Sequence, residues 1–172
     1  MLFLGTFFLT YIVLTFLYQC YLNSFEENKI DAITTMVSYN TQWVMQLFND
    51  QSYIEKSVIH PYMKLFFNDK YVARIVEGCN AISVIILFIS FVVAFSGKLQ
   101  ATLLFIFGGS LLIYVLNILR IAALSALIFY FPKQEPFLHG VLFPLYIYGV
   151  VFILWLIWVN KFSKYAKKTV QS

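Results

Sequence analysis

The chain has 172 residues, of which 61% are hydrophobic, 20% aromatic and 12% charged; soluble domains carry about a quarter charged residues, so an ordinary globular protein is excluded. A chain of this size keeps roughly a third of its unfolded surface exposed after folding, too much for 19 Phe and 12 Tyr to avoid water without lipid. The net charge of +4 does not mark a nucleic-acid binder, because Lys161, Lys164, Lys167 and Lys168 cluster near the C-terminus and read as a topological anchor.

The first charged side chain is Glu26, and the preceding apolar stretch is long enough to cross about 30 Å of hydrocarbon. Residues 2–22 are therefore predicted as the first span, an uncleaved signal anchor without a basic leader or a small-residue cleavage site. Residues 23–77 follow as an extracytoplasmic segment. Within it Ile30, Ile33, Val37, Val44, Leu47 and Phe48 recur at near-helical spacing, predicting an amphipathic helix on the outer surface. Residues 62–67 and 71–76, around Asn68-Asp69-Lys70, predict a short β-hairpin. Three further spans are expected at 79–97, 101–123 and 139–160, followed by a tail at 161–172. The expected fold is thus an all-α integral membrane protein, one membrane domain over 1–172, with four transmembrane helices. The positive-inside rule puts the Lys-rich tail in the cytoplasm, and alternation puts the N-terminus there and 23–77 outside.

Depth along the spans singles out three side chains. At 1.5 Å per residue, Cys79 and Arg120 lie about 29 and 33 Å from Lys98, and His139 about 33 Å from Lys161. All three reach the outer interface, each on a different predicted helix. Cys79 follows Gly78, which permits a sharp entry from strand to helix, and a helix N-terminus favours a thiolate by about 0.3–1 kcal/mol. That is too little alone, so a second activator is needed. Arg120 shares a helix face with Asn117, three residues earlier, a candidate hydrogen-bond partner. Glu77 works against a thiolate at Cys79 and reads as a strand-end or substrate contact. Cys20 has no polar partner nearby and reads as inert; His60 reads as a surface residue. Gly108-Gly109 reads as a close helix-packing site. No metal cluster or phosphate loop is visible, so no cofactor is expected. From the residues alone, an enzyme, a non-catalytic membrane scaffold held by interhelical hydrogen bonds and a small transporter subunit with Arg120 in its path all remain open.

Glu77-Gly78-Cys79-Asn80-Ala81, then Asn117-Ile118-Leu119-Arg120-Ile121, then His139 at the mouth of a span resemble the exosortase and archaeosortase family. The wording EGCNAISVIILFISFVVAF, with the aromatic run beyond His139, is most similar to the exosortase F type. The resemblance covers roughly residues 60–160. It implies a bacterial inner-membrane cysteine transpeptidase that cleaves a C-terminal sorting signal made of a short motif, a transmembrane helix and a basic cluster. Its partners would be membrane-anchored substrate proteins and the lipid bilayer, not nucleic acid. Carried over, Cys79 is the nucleophile, Arg120 the cationic stabiliser and His139 the third member, with Asn117, Gly78, Asn80 and Glu77 in support. The acceptor is not specified.

Overall fold

The computed structural model describes residues 2–25, 29–48, 51–58, 60–95 and 97–163. Glu26 and the tail lysines Lys164, Lys167 and Lys168 lie outside the described residues. The elements in order are α1 (Leu2–Asn23), α2 (Ala32–Gln46), β1 (Tyr53–Lys56), β2 (Met63–Phe67), β3 (Lys70–Ile75), α3 (Ile82–Ala94) and α4 (Leu99–Tyr130). A last helical stretch, α5 (Pro132–Phe162), contains two π turns. Lipid offers no hydrogen bonds to backbone groups, so apolar segments of this length must satisfy them internally as helices.

Three of these helices, α1, α4 and α5, are long and apolar enough to cross a membrane, as befits a multi-pass membrane protein. The span expected at 79–97 is instead a helix of 13 residues, about 20 Å long against about 30 Å of hydrocarbon. Residues 77–81 are taken up by a 3-10 turn and a left-handed residue, and the helix stops at Phe95. The helix that carries the third predicted span runs on past residue 123 to Tyr130.

The segment between α1 and α3 forms a small α/β layer over the distal half of α4. Asp31 starts α2, its carboxylate accepting a hydrogen bond from the Thr34 amide at 2.8 Å. The buried face of α2 is Thr34, Val37, Ser38, Thr41 and Met45, which differs from the apolar stripe read in the sequence: Leu47 and Phe48 are exposed, and Val44 only half-buried. Hydroxyls can be buried here because Ser38 and Thr41 donate to the carbonyls of Thr34 and Val37 at 2.8 Å each. The predicted hairpin gains a third strand, giving an antiparallel meander β1-β2-β3. Asn68 and Asp69 both take positive φ, 49° and 57°, the two-residue turn that matches strand twist, so Lys70 belongs to β3. Met63, Leu65 and Phe67 alternate inward along β2 and pack with Val37, Met45 and Ile75 against Ile118, Ile121 and Ala122 of α4.

In the other half, α3, α4 and α5 close a core of Phe88, Val92, Ile113, Ile147, Val151 and Trp158. A Cβ on Gly109 would strike the Phe88 ring, whereas one on Gly108 would meet nothing within 4 Å; of the predicted pair, Gly109 is the packing position. Gly97 lies under Trp158, whose Nε1 donates to the Phe95 carbonyl at 2.9 Å, and it bridges to Ser163. The end of α3 is thereby tied to the end of α5. The first helix, α1, leans on α3 through Phe3, whose ring lies 4.3 Å from that of Phe95, and none of its described side chains is fully buried.

The exposed apolar side chains of α4, among them Leu99, Leu104, Phe107, Leu111, Val115 and Leu119, end at Leu119, and no large apolar side chain is exposed again until Tyr130. From Leu99 to Leu119 is about 30 Å of helix, one hydrocarbon thickness. Beyond it, the sheet, α2 and the start of α5 replace lipid as the cover.

Candidate active site

Arg120 is the first residue past that apolar stripe. Asn117, fully buried one turn below, donates from Nδ2 to the Cys79 carbonyl at 2.7 Å and accepts at Oδ1 from an Arg120 guanidinium nitrogen at 3.3 Å. One amide therefore fixes both the backbone of Cys79 and the head of Arg120. The Arg120 Nε is buried and has no hydrogen-bond partner among the described residues. The guanidinium is within electrostatic reach of the Cys79 thiol and the Tyr148 phenol.

Cys79, half-buried, ends the 3-10 turn Glu77–Cys79 and does not open α3 as the sequence suggested. The N-terminus of α3 is capped by Asn80, whose Oδ1 accepts from the Ile82 amide at 3.0 Å. The Asn80 Nδ2 donates to Tyr18 Oη at 2.8 Å and to Thr34 Oγ1 at 3.0 Å, pinning this loop to α1 and α2. The left-handed residue in this passage is Ala81, at φ 64°, and not Gly78. A non-glycine residue pays about 1–2 kcal/mol for that conformation; burial of Ala81 against α3 and α4 and the Asn80 cap hold it there. Gly78 has open space around its Cα.

His139 lies inside α5 and not at its first residue. The helical stretch starts at Pro132, a residue suited to a first turn, and His139 sits in the π turn Leu138–Leu142. Such a turn inserts an extra residue into the helix and re-aims side chains. Leu138 is thereby buried, and His139, exposed, reaches the cavity that also contains Cys79 and Arg120.

That cavity has a volume of about 320 Å³. Its walls are the β3-to-turn segment from Val72 to Val76, Cys79, the α4 face running from Arg120 to Ile128, and Glu135 and His139 of α5. The structure thus brings Cys79, Arg120 and His139 together from three separate elements, with Asn117 behind them. It separates Glu77, whose carboxylate accepts from Tyr18 Oη at 3.1 Å and which lines a different cavity of about 440 Å³ with Lys29 and Asp31. Cys20, exposed on α1, and His60, stacked on Tyr62, do not line the cavity of Cys79.

Three groups near the site escaped the sequence reading: Arg74, Glu135 and Tyr148. Ending the third span at 123 left 124–138 without structure, which hid Glu135 one helical turn before His139. Arg74 carried no motif; its placement follows from β3 leading directly into the Glu77–Cys79 turn. Chemically, a thiol, an imidazole and a guanidinium around one partly enclosed cavity are the parts of nucleophilic acyl transfer: a nucleophile, a proton carrier and a donor for a developing oxyanion.

The chain matches no curated protein and no solved structure. The family model of the transmembrane exosortases matches residues 1–160, nearly the whole chain, and on that match the chain belongs to the transmembrane exosortase family.

Proposed function

We propose that this protein is a sorting transpeptidase of the exosortase F type in a bacterial inner membrane, with both termini cytoplasmic and the cavity of Cys79 at the outer face. Its substrates are exported proteins held by a C-terminal signal of short motif, transmembrane helix and basic cluster. The observation that carries the reading is the shared cavity: three reactive side chains, far apart in sequence, line one space just beyond the lipid-facing stripe of α4.

In the proposed reaction His139 takes the Cys79 proton, and the thiolate attacks the scissile carbonyl. Arg120 donates to the oxyanion, its head oriented by Asn117. Collapse of the tetrahedral adduct breaks the C–N bond, His139 returns the proton to the leaving amine, and the C-terminal helix departs. An amine, a hydroxyl or water then attacks the thioester and regenerates the thiol. Arg120 follows the end of the apolar stripe and does not sit in its middle, which favours this reading over a charged transport path.

The test is processing of a membrane-anchored cargo, followed by loss of its C-terminal helix. Cys79→Ala and Cys79→Ser are expected to stop processing while the protein still accumulates in the membrane. Unchanged processing in either variant would overturn the assignment.

A further inference from the structure

The space beside β3 extends beyond the thiol. The cavity of Cys79 and a neighbouring one of about 460 Å³ share Val72, Ala73, Arg74, Ile128 and Glu135 as walls. Together they form a trough between β3 and the segment that ends α4 and begins α5. Its near wall is a sheet edge: β3 pairs with β2 on one side only, and among the described residues no backbone hydrogen bond reaches its other side. Unpaired edge amides and carbonyls are a template for another strand. In the pairing of β3 with β2 the register shifts, Leu65 facing Ala73 and Phe66 facing Tyr71, so that Val72 is an extra residue in β3. Such bulges bend a strand and re-aim it, and they concentrate near active sites.

We propose that the trough binds the substrate's recognition segment as an extended strand added to the free edge of β3, delivering its scissile carbonyl to Cys79. This rests on the acyl-transfer reading and adds how the peptide is held. The strand runs from Lys70 to Ile75 and is followed within four residues by Cys79, so the docking edge and the nucleophile share one rigid path. Its length, about 20 Å at 3.3 Å per residue, fits a peptide of about six residues. A segment lying upstream of the scissile bond runs parallel to β3, because both head toward the thiol. Main-chain hydrogen bonds then supply affinity, and the shared walls, with Arg74 and Glu135, read alternate side chains.

The test uses the full chain in lipid nanodiscs and an N-acetyl hexapeptide library ending in a vinyl sulfone, which adds to a thiol. Four rates of Cys79 modification are compared: with the library, with each of two versions of it N-methylated at alternate peptide bonds, and with methyl vinyl sulfone, the same reactive group without a peptide. Binding along β3 predicts that the library outpaces methyl vinyl sulfone by at least about tenfold, and that one of the two methylation patterns removes about tenfold. It also predicts slowed amide exchange in Lys70–Ile75, with β1 unchanged. If Cys79 reacts with methyl vinyl sulfone but the peptides gain nothing and methylation has no effect, the β3 edge is not the docking site and the thiol chemistry stands. If Cys79 reacts with none of the reagents, the acyl-transfer reading falls and this proposal with it.

Discussion

The two halves of α4 are equally apolar in sequence and differ in what covers them. From Leu99 to Leu119 the outward side chains are bare, as lipid contact requires; beyond Arg120 the same kind of residue is packed, Ile121 and Ala122 under the sheet and α2, Leu124 and Ile128 against Leu138 and Phe143 of α5. Arg120 stands at the change of cover. An apolar helix therefore marks a place where water is absent without saying whether lipid or protein excludes it, and a functional charge can sit where one cover gives way to the other.

Substitutions on the two sides of that change should behave differently. The largest stability effect is expected from Leu65→Ala, a fully buried residue in the layer covering distal α4; a loss of about 2–5 kcal/mol is checked by unfolding in detergent. Next, Arg120→Lys keeps the charge but gives up the planar fork. Processing should fall about 10²–10³-fold while the unfolding midpoint stays close to wild type, separating a rate effect from a folding one. In the lipid half, Gly109→Ala puts a methyl group into the Phe88 ring and should cost about 1–3 kcal/mol. Its neighbour Gly108→Ala, facing open space, should not. The smallest change is expected from Leu104→Ala, 74% exposed on the lipid stripe, within about 0.5 kcal/mol of wild type. A large loss at Leu104 would mean that the stripe is covered by protein, as distal α4 is.

Much of this layout is legible in the sequence, for identifiable reasons. Charge-free length announces α1 and the bulk of α4 and α5, and the Asn68-Asp69 pair announces the turn between β2 and β3. The span at 79–97 outruns the helix of 13 residues because the run between Glu77 and Lys98 carries no charge, whereas Asn80 spends its side chain joining α1, α2 and the start of α3. The last residues of α4 are missed for the converse reason: their apolar face serves a sheet that no local pattern reveals. For α2, buried serine and threonine satisfied by their own helix join Val37 on the inner face, while Leu47 and Phe48 of the visible stripe are exposed. In the cavity, depth counting brings Cys79, Arg120 and His139 to one level, since a helix converts residue number into height. It cannot tell which way each side chain points. The π turn that carries His139 and the placement of Glu135 opposite β3 depend on tertiary contacts, which spacing alone does not encode.

The proposed function requires Cys79 to be an outward-facing thiol served by His139. It is tested most directly by labelling intact cells with a membrane-impermeant maleimide, comparing wild type, Cys20→Ser, Cys79→Ser and His139→Ala. Cys79 should label from outside in wild type and in Cys20→Ser; this signal should vanish in Cys79→Ser and slow about tenfold or more in His139→Ala. Labelling of Cys79 only after the membrane is opened, or at a rate indifferent to His139, would contradict it.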